Sequence, residues 1–285
     1  MSRGKREREQ EGRRNTGGRR RRERAPGGSL RRPVTFYGDQ SRRVVYVASE
    51  GAKTEPAYLD LLNEAYGEKR PEGQKFYLHY CHPGHSDGLR PEEVVDQVVS
   101  EAGPGEEKWA LFDRDTEDNR DDDIPRAMRK AHQNGVQVAF SHPSFELWLL
   151  LHFKNWTSQE SGRSGKIVGE LRRHKDAKGF EDYDKGSGDR GKGLGGRRGQ
   201  SLLGREKTAI DNARGLIKQC PHGACSAKTA DKTAKAVSAA PGKDLSYEEW
   251  VALSGHAPDC NPLHRDPSTD MWRLLTALDI GTKDD

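Results

Sequence analysis

Short apolar runs alternate with amphipathic segments through the first half of the chain. Four runs have the length and the β-branched or aromatic content of buried strands, and they cover residues 43–48, 75–80, 109–112 and 136–140. Between them, apolar residues recur at helical spacing in three segments, 54–66, 91–102 and 124–134. Strands that alternate with helices in this way predict a parallel sheet with helices on its faces.

Several helix boundaries in this half also carry recognisable signals. Thr54 is the expected N-cap of the first helix, and Pro56 lies in its first turn, where proline is tolerated. Gly135 follows the third helix as an expected C-terminal cap. The run 145–153 is apolar nearly all round, which predicts a buried helix with Ser144 as its N-cap.

The second half of the chain is predicted to be mainly helical. Apolar stripes at helical spacing occur in two segments, 201–219 and 271–278. The segment 226–244 is rich in Ala, Lys and Thr and favours no single structure. Residues 186–200 contain seven glycines, which predicts a flexible loop. We therefore expect an α/β core over 41–156 and a mainly helical C-terminal region over 157–285.

The amino-terminal segment differs in composition from the rest of the chain. Its first 32 residues contain thirteen Lys and Arg against four Glu, a net charge of +9, whereas the whole chain carries only +4. A segment of this kind without an apolar run is predicted to be disordered, and we assign residues 1–40 to an Arg/Gly-rich arm. The arm either neutralises nucleic-acid phosphates without reading sequence or serves only as a solubilising extension.

The hydropathy of the chain predicts no membrane insertion. No run of 18 apolar residues occurs, and the basic arm lacks the hydrophobic region of a signal peptide. We therefore expect a soluble, cytoplasmic protein without a membrane partner. Structural disulfides are not expected in that compartment.

Carboxylates follow two of the predicted strands. Asp113 and Asp115 come directly after the run 109–112, and Glu50 follows the first strand. Because the carboxyl ends of parallel strands share one edge of a sheet, we expect these three side chains to converge. Neighbouring carboxylates repel one another unless a cation lies between them, so the three predict a site for Mg²⁺ or Mn²⁺. The alternative for Asp113 and Asp115 is that they only cap the following loop.

Two further residues near this edge are candidates for the same site. Lys53, at the head of the first helix, either contacts a substrate phosphate or is a solvated surface lysine. Glu146 lies in the first turn of the predicted buried helix. A carboxylate there is costly to bury unless it is paired, binds a metal or interacts with the helix N-terminus. Glu146 is therefore either a site residue or a partner of the helix dipole.

A second metal site is suggested by three of the four cysteines. Cys220 and Cys225 form a C-x4-C pair, and Cys260 with His264 forms C-x3-H about 35 residues later. In a reducing compartment, thiolates and an imidazole at such spacing bind Zn²⁺. The alternative is that the cysteines are free, incidental thiols, and the spacing leaves both interpretations open.

Three motifs together resemble a known family. They are SEGAKTEPAY at 49–58, FDRD at 112–115 and SHPSFELWLLLHF at 141–153. A carboxylate after the first strand and D-x-D after a later one resemble the Toprim domain of primases, topoisomerases and several nucleases. The full set, with Pro267-Ser-Thr near the C terminus, more closely resembles the RloB family of Toprim-like proteins over about 44–278.

This resemblance implies both an architecture and a biological role. It implies a Toprim-like parallel sheet flanked by helices, and an effector role in antiviral, abortive-infection defence against phage. It further implies a partner ATPase of the AAA/ABC-like type. In this setting, Glu50, Asp113 and Asp115 are expected to hold the catalytic cation, with Glu50 alternatively serving as the base that deprotonates water.

Two functions from different classes stay open on the sequence. The first is a metal-dependent nuclease that hydrolyses phosphodiester bonds of RNA, tRNA included, or of DNA. For it, the candidate catalytic residues are Glu50, Lys53, Asp113, Asp115 and Glu146. The second is a non-catalytic nucleic-acid-binding or adaptor subunit of the same defence system, in which the carboxylates hold a structural cation. A primase or topoisomerase activity is less favoured, because this length has no room for a strand-passing domain.

Overall fold

The described residues begin just after the predicted basic arm. The computed structural model describes residues 42–71, 73–83, 88–114, 121–186, 189–238 and 244–282. These described residues belong to one compact unit. The predicted arm over 1–40 and the candidate residue Asp115 lie outside the described residues, and the division of the folded part at residue 156 stays a prediction.

The sheet within the described ranges has five strands. They are β1 (Arg43–Ser49), β2 (Phe76–Tyr80), β3 (Glu107–Asp113), β4 (Gln137–His142) and β5 (Ser268–Thr269). Their order is β2-β1-β3-β4-β5, and every neighbouring pair is parallel except β4 and β5. The predicted α/β class with a mostly parallel sheet is therefore confirmed. The antiparallel fifth strand was not predicted.

Helices surround this sheet and make up most of the C-terminal half. Their bounds are α1 (Thr54–Leu62), α2 (Pro91–Glu101), α3 (Asp123–Gln133), α4 (Phe145–Leu151), α5 (Gly165–Arg173), α6 (Asp189–Lys192), α7 (Arg197–Leu202), α8 (Glu206–Ile217), α9 (Ala227–Ser238), α10 (Tyr247–Ala252) and α11 (Met271–Ala277). A π-helical turn, Asn63–Gly67, continues α1, and a short 3-10 turn, Pro262–His264, precedes β5. No helix in the ranges described above is both long enough and apolar enough to cross a membrane.

The alternation of side chains along the strands creates two separate cores. Val45 and Val47 of β1 and Trp109 of β3 face a large core that contains α1, α4, α5, α8 and α11. Ala110 and Phe112, which alternate with Trp109 and Leu111 along β3, face a smaller core with α2 and α3. Because successive strand residues point to opposite faces, one apolar strand serves both cores.

Helix α4 is buried on all sides, as the sequence predicted. Every residue of Phe145–Leu151 is inaccessible or nearly so. The C-terminal helices α5 and α8 pack against it, and it also contacts strands β4 and β5 of the sheet. Ser144 occupies the predicted N-cap position, although its side chain makes no capping hydrogen bond.

The glycine-rich segment contains helical structure where the sequence predicted only a loop. Helices α6 and α7 lie within or across 186–200. Arg198 holds this segment together because its buried guanidinium donates hydrogen bonds to the carbonyls of Gly179, Gly191 and Gly193. Glycine has no side chain that could fix the backbone here, and one charged side chain satisfies the hydrogen bonding of three of these carbonyls.

The free side of β4 is covered by the last part of the chain. Ser141 and His142 pair with Thr269 and Ser268 of β5. Farther along β4, the carbonyl of Phe140 accepts a hydrogen bond from the Asp270 amide at 2.8 Å. The carbonyl of Val138 accepts one from Arg273 Nη1 at 2.9 Å. The C-terminal segment therefore completes the hydrogen bonding of a strand formed more than a hundred residues earlier.

Candidate functional site

A cleft of about 310 Å³ opens at the carboxyl ends of β1 and β3. The direction in which the chain adds strands to the sheet reverses between these two strands, since β2 lies on one side of β1 and β3 on the other. Ligand sites of open α/β sheets lie at such switch points. Among the described residues, four carboxylates line this cleft, and they are Glu50, Glu55, Asp113 and Glu146.

Glu50 is fixed where it leaves β1. Its amide donates to the carbonyl of Leu111 at 3.1 Å, and its carbonyl accepts from the Leu89 amide at 3.3 Å. Its side-chain Oε2 accepts a hydrogen bond from the Asp113 amide at 2.8 Å. The predicted convergence of the two strand ends is therefore present in the geometry.

Asp113 is the last residue of β3 and connects the sheet to α4. Its Oδ2 accepts a hydrogen bond from the Phe145 amide at 2.9 Å. Burial raises the pKa of this carboxyl well above its usual range, and the negative charges of Glu55, Glu50 and Glu146 raise it further. The site thus brings several carboxylates close enough together for each to disfavour the ionisation of Asp113.

Glu55 is a site residue that the sequence analysis did not assign. It lies in the first turn of α1, is buried, and lines the cleft. Burial, assisted by the charge of Glu146, raises its pKa from 4.5 to about 7. Gly51 makes room for it, since a Cβ at position 51 would lie 2.6 Å from Glu55 Oε1. A side chain at position 51 would therefore displace the Glu55 carboxylate from this place.

The C-terminal region contributes two further side chains, Tyr183 and Lys192, which contact Glu146 of the cleft. The Tyr183 hydroxyl donates to Glu146 Oε1 at 2.9 Å and lies 3.0 Å from Thr54 Oγ1. Lys192 Nζ lies 3.5 Å from the same Glu146 oxygen. Thr54 Oγ1 in turn donates to the backbone carbonyl of Lys192 at 3.2 Å. Glu146 is therefore held by partners that follow it by about forty residues in the chain.

The donor atoms of the cleft suit a hard cation. Oxygen ligands from several carboxylates are what Mg²⁺ and Mn²⁺ prefer. Ser144 Oγ also lines the cleft, is buried, and has no hydrogen-bond partner among the described residues. A buried hydroxyl without a partner is costly, and a bound water or ligand atom would satisfy it. The residues present therefore fit a divalent cation and its water.

The structure brings together most of the residues predicted for this site. Glu50, Lys53, Asp113 and Glu146 all line the cleft, and Asp115 lies outside the described residues. Glu55 was missed because an acidic residue before a proline in a first turn is also typical of an ordinary helix start. No local signal identifies Tyr183 or Lys192, which reach the cleft only through the tertiary fold.

A second group of potential metal ligands lies far along the chain. Cys220, Cys225 and Cys260 are buried together with His256, and one ligand atom of each lies within 4.8 Å of all the others. The predicted histidine was His264, which is instead exposed in the turn Pro262–His264. A buried set of three thiols and one imidazole can bind a metal such as zinc.

Comparison with known proteins gives one result. The sequence model for RloB-like proteins matches residues 45–278, which is most of the chain and spans nearly all of the described ranges. No curated protein and no solved structure matches the chain.

Proposed function

The chain belongs to the RloB-like protein family, and from this membership and the cleft we propose that it is a metal-dependent nuclease. Its substrate would be a phosphodiester bond of RNA, tRNA included, or of DNA. We further propose that it acts as the effector of a phage-defence system together with an AAA/ABC-like ATPase. The observation that carries the proposal is the convergence of four carboxylates at the switch point between β1 and β3.

The proposed chemistry assigns a task to each side chain of the cleft. A bound Mg²⁺ or Mn²⁺ would polarise a phosphoryl oxygen and lower the pKa of its water. Glu50, Asp113 and Glu146 would hold the cation, with Glu55 as an additional oxygen donor and Asp115 as a predicted one. These assignments follow from oxygen chemistry and from the shared cleft.

The basic side chains of the cleft would act on the substrate. Lys53 is half-buried at the head of α1, where its ammonium can contact a phosphate. Lys192 is within reach of Glu146 and offsets part of the negative charge that a nucleic acid would otherwise meet. Tyr183 keeps Glu146 oriented through its hydroxyl, which makes it a positioning residue.

The test compares Asp113→Asn with wild type in cells that also express the proposed AAA/ABC-like ATPase partner. After phage challenge, growth arrest and the integrity of total RNA and DNA are measured, and urea unfolding of the purified variants verifies their folding. The matched control is Glu206→Gln, because Glu206 is also a buried carboxylate but does not line the cleft.

The expected result is that Asp113→Asn loses both arrest and cleavage, whereas Glu206→Gln retains them. The nucleic acid that is cut in the wild type identifies the substrate class. A folded Asp113→Asn protein that cleaves and arrests like the wild type would refute the nuclease proposal. Retained nucleic-acid binding together with no cleavage by any of the proteins would favour the adaptor function.

A further inference from the structure

The cysteine and histidine cluster is built from two separate turns. Cys220 and Cys225 lie between α8 and α9, whereas His256 and Cys260 lie between α10 and β5. All four side chains are buried, with exposed fractions of 8%, 8%, 1% and 3% respectively. Forty residues separate the first cysteine from the last, so the fold rather than the local sequence brings these ligands together.

The distances within the cluster match a tetrahedral site. Cys220 Sγ and Cys260 Sγ are 3.6 Å apart, and His256 Nδ1 lies 3.4 Å from Cys225 Sγ and 3.9 Å from Cys260 Sγ. Zn–S bonds of about 2.3 Å and Zn–N bonds of about 2.0–2.1 Å at tetrahedral angles separate two sulfurs by ~3.8 Å and sulfur from nitrogen by ~3.6 Å. These three distances are therefore close to the spacing that a zinc ion imposes, and the other distances among the four ligand atoms are within 4.8 Å.

The backbone around the cluster supports the same arrangement. The Ala257 amide donates to Cys225 Sγ at 3.4 Å, which stabilises charge on that sulfur. The Ser226 amide donates to the carbonyl of Gly255 at 2.7 Å and so joins the two turns. Gly255 has φ +81°, and a Cβ there would lie 3.0 Å from the Ser226 carbonyl oxygen. Only glycine permits this close approach without strain.

We propose that Cys220, Cys225, His256 and Cys260 form a structural zinc site. Four protein ligands complete a tetrahedral coordination shell and leave no position for substrate, which is typical of structural rather than catalytic zinc. The ion would join the turn between α8 and α9 to the segment that leads into β5. The site is independent of the carboxylate cleft, so it holds whether or not the protein is a nuclease.

The test measures the zinc content of the full-length protein, purified without chelators from zinc-supplemented medium, by elemental mass spectrometry. Wild type is expected to carry about one zinc per chain. His256→Ala and Cys260→Ser should lose it. His264→Ala and Cys81→Ser are the matched controls and should keep it. The first control is the histidine that sequence spacing favoured, and the second removes the thiol from the separate group of His79, Cys81 and Glu101.

A second measurement covers the case in which the ligand variants fail to fold. Wild type is stripped with a chelator and titrated with Co²⁺, which should give the thiolate charge-transfer and tetrahedral d–d absorption bands. Stripping should also lower the free energy of unfolding, and Zn²⁺ should restore it. Asp113→Asn should show unchanged zinc content, which separates this site from the cleft.

Three results would overturn the proposal. The first is wild type that contains no zinc and gives no cobalt bands. The second is a folded His256→Ala protein with the zinc content of wild type. The third is mass-spectrometric detection of a Cys220–Cys260 disulfide in the protein purified under reducing conditions.

Discussion

Replacing Glu55 by Gln should stabilise the metal-free protein at neutral and alkaline pH. Burial, and to a smaller extent the charge of Glu146, raises the pKa of Glu55 from 4.5 to about 7. The folded state therefore binds a proton more tightly than the unfolded state does. Between pH 4.5 and 7 the folded protein carries more bound protons, so its free energy of unfolding falls as the pH rises.

The magnitude follows from the two pKa values. A tenfold change in a proton-binding constant corresponds to about 1.4 kcal/mol, so the full cost of ionising Glu55 approaches ~3 kcal/mol. Most of it, about 2 to 3 kcal/mol, appears between pH 5 and pH 8. Asp113 adds to the effect in the same direction, because the charge of Glu55 is one cause of its raised pKa. Gln fills the same space without that charge.

The assay is urea unfolding of wild type and Glu55→Gln at pH 5 and pH 8 in EDTA, repeated with Mg²⁺. The wild type should lose stability with rising pH in EDTA, and the variant should lose about 2 to 3 kcal/mol less. Mg²⁺ should stabilise the wild type most at pH 8, where the carboxylates are charged. Glu206→Gln, outside the cleft, should keep the Mg²⁺ response. Parallel pH curves for wild type and Glu55→Gln in EDTA would refute the reasoning.

Two further outcomes are expected. Gly51→Ala should weaken the stabilisation of the protein by Mg²⁺, because the added Cβ displaces the Glu55 carboxylate. The control Gly195→Ala, whose Cβ would point into open space, should leave this stabilisation unchanged. Equal Mg²⁺ titrations for both variants would contradict the prediction. His152 is inaccessible, and burial lowers its pKa from 6.5 to about 4, so the folded state favours the neutral imidazole. The neutral imidazole should therefore contribute ~3 kcal/mol of stability above pH 6.5, and this contribution should be lost as the pH falls toward 4. The free energies of unfolding of wild type and His152→Gln, measured in urea, should converge in acid. A difference between them that does not change with pH would contradict this prediction.

Most of the α/β core could be predicted because its elements are locally encoded. Four strands lie within two residues of their predicted bounds, since each is an apolar run ended by polar chain. Gly135 follows α3 with φ +62°, as a C-terminal cap requires. Helix α4 could be predicted as buried because no face of it is polar.

The elements that were missed depend on tertiary contacts. Strand β5 consists of two residues, Ser268 and Thr269, and carries no periodic signal of its own. The helices in the glycine-rich segment depend on Arg198, whose hydrogen bonds reach back to the carbonyls of Gly179 and Gly193. Helix propensity in that segment is low, so its local sequence argues against the structure that forms.

The candidate site shows the same limit. Glu50 and Asp113 could be found because strand ends meet at one edge of a parallel sheet. Glu55 could not be assigned from the sequence, because its place in the cleft depends on the packing of its carboxylate against Gly51. His256 replaced His264 in the thiol cluster because a regular spacing in sequence does not establish which side chain is buried.

Without the segment that contains β5 and α11, β4 would be an open edge strand. The carbonyls of Val138 and Phe140 would lose their donors from Arg273 and Asp270. An unprotected apolar edge is a template for pairing with a second copy. During synthesis β4 emerges more than a hundred residues before β5 and α11, so the nascent chain passes through a stage in which it is prone to self-association. The C-terminal segment thus protects against aggregation, and chains truncated before residue 268 should accumulate as insoluble protein.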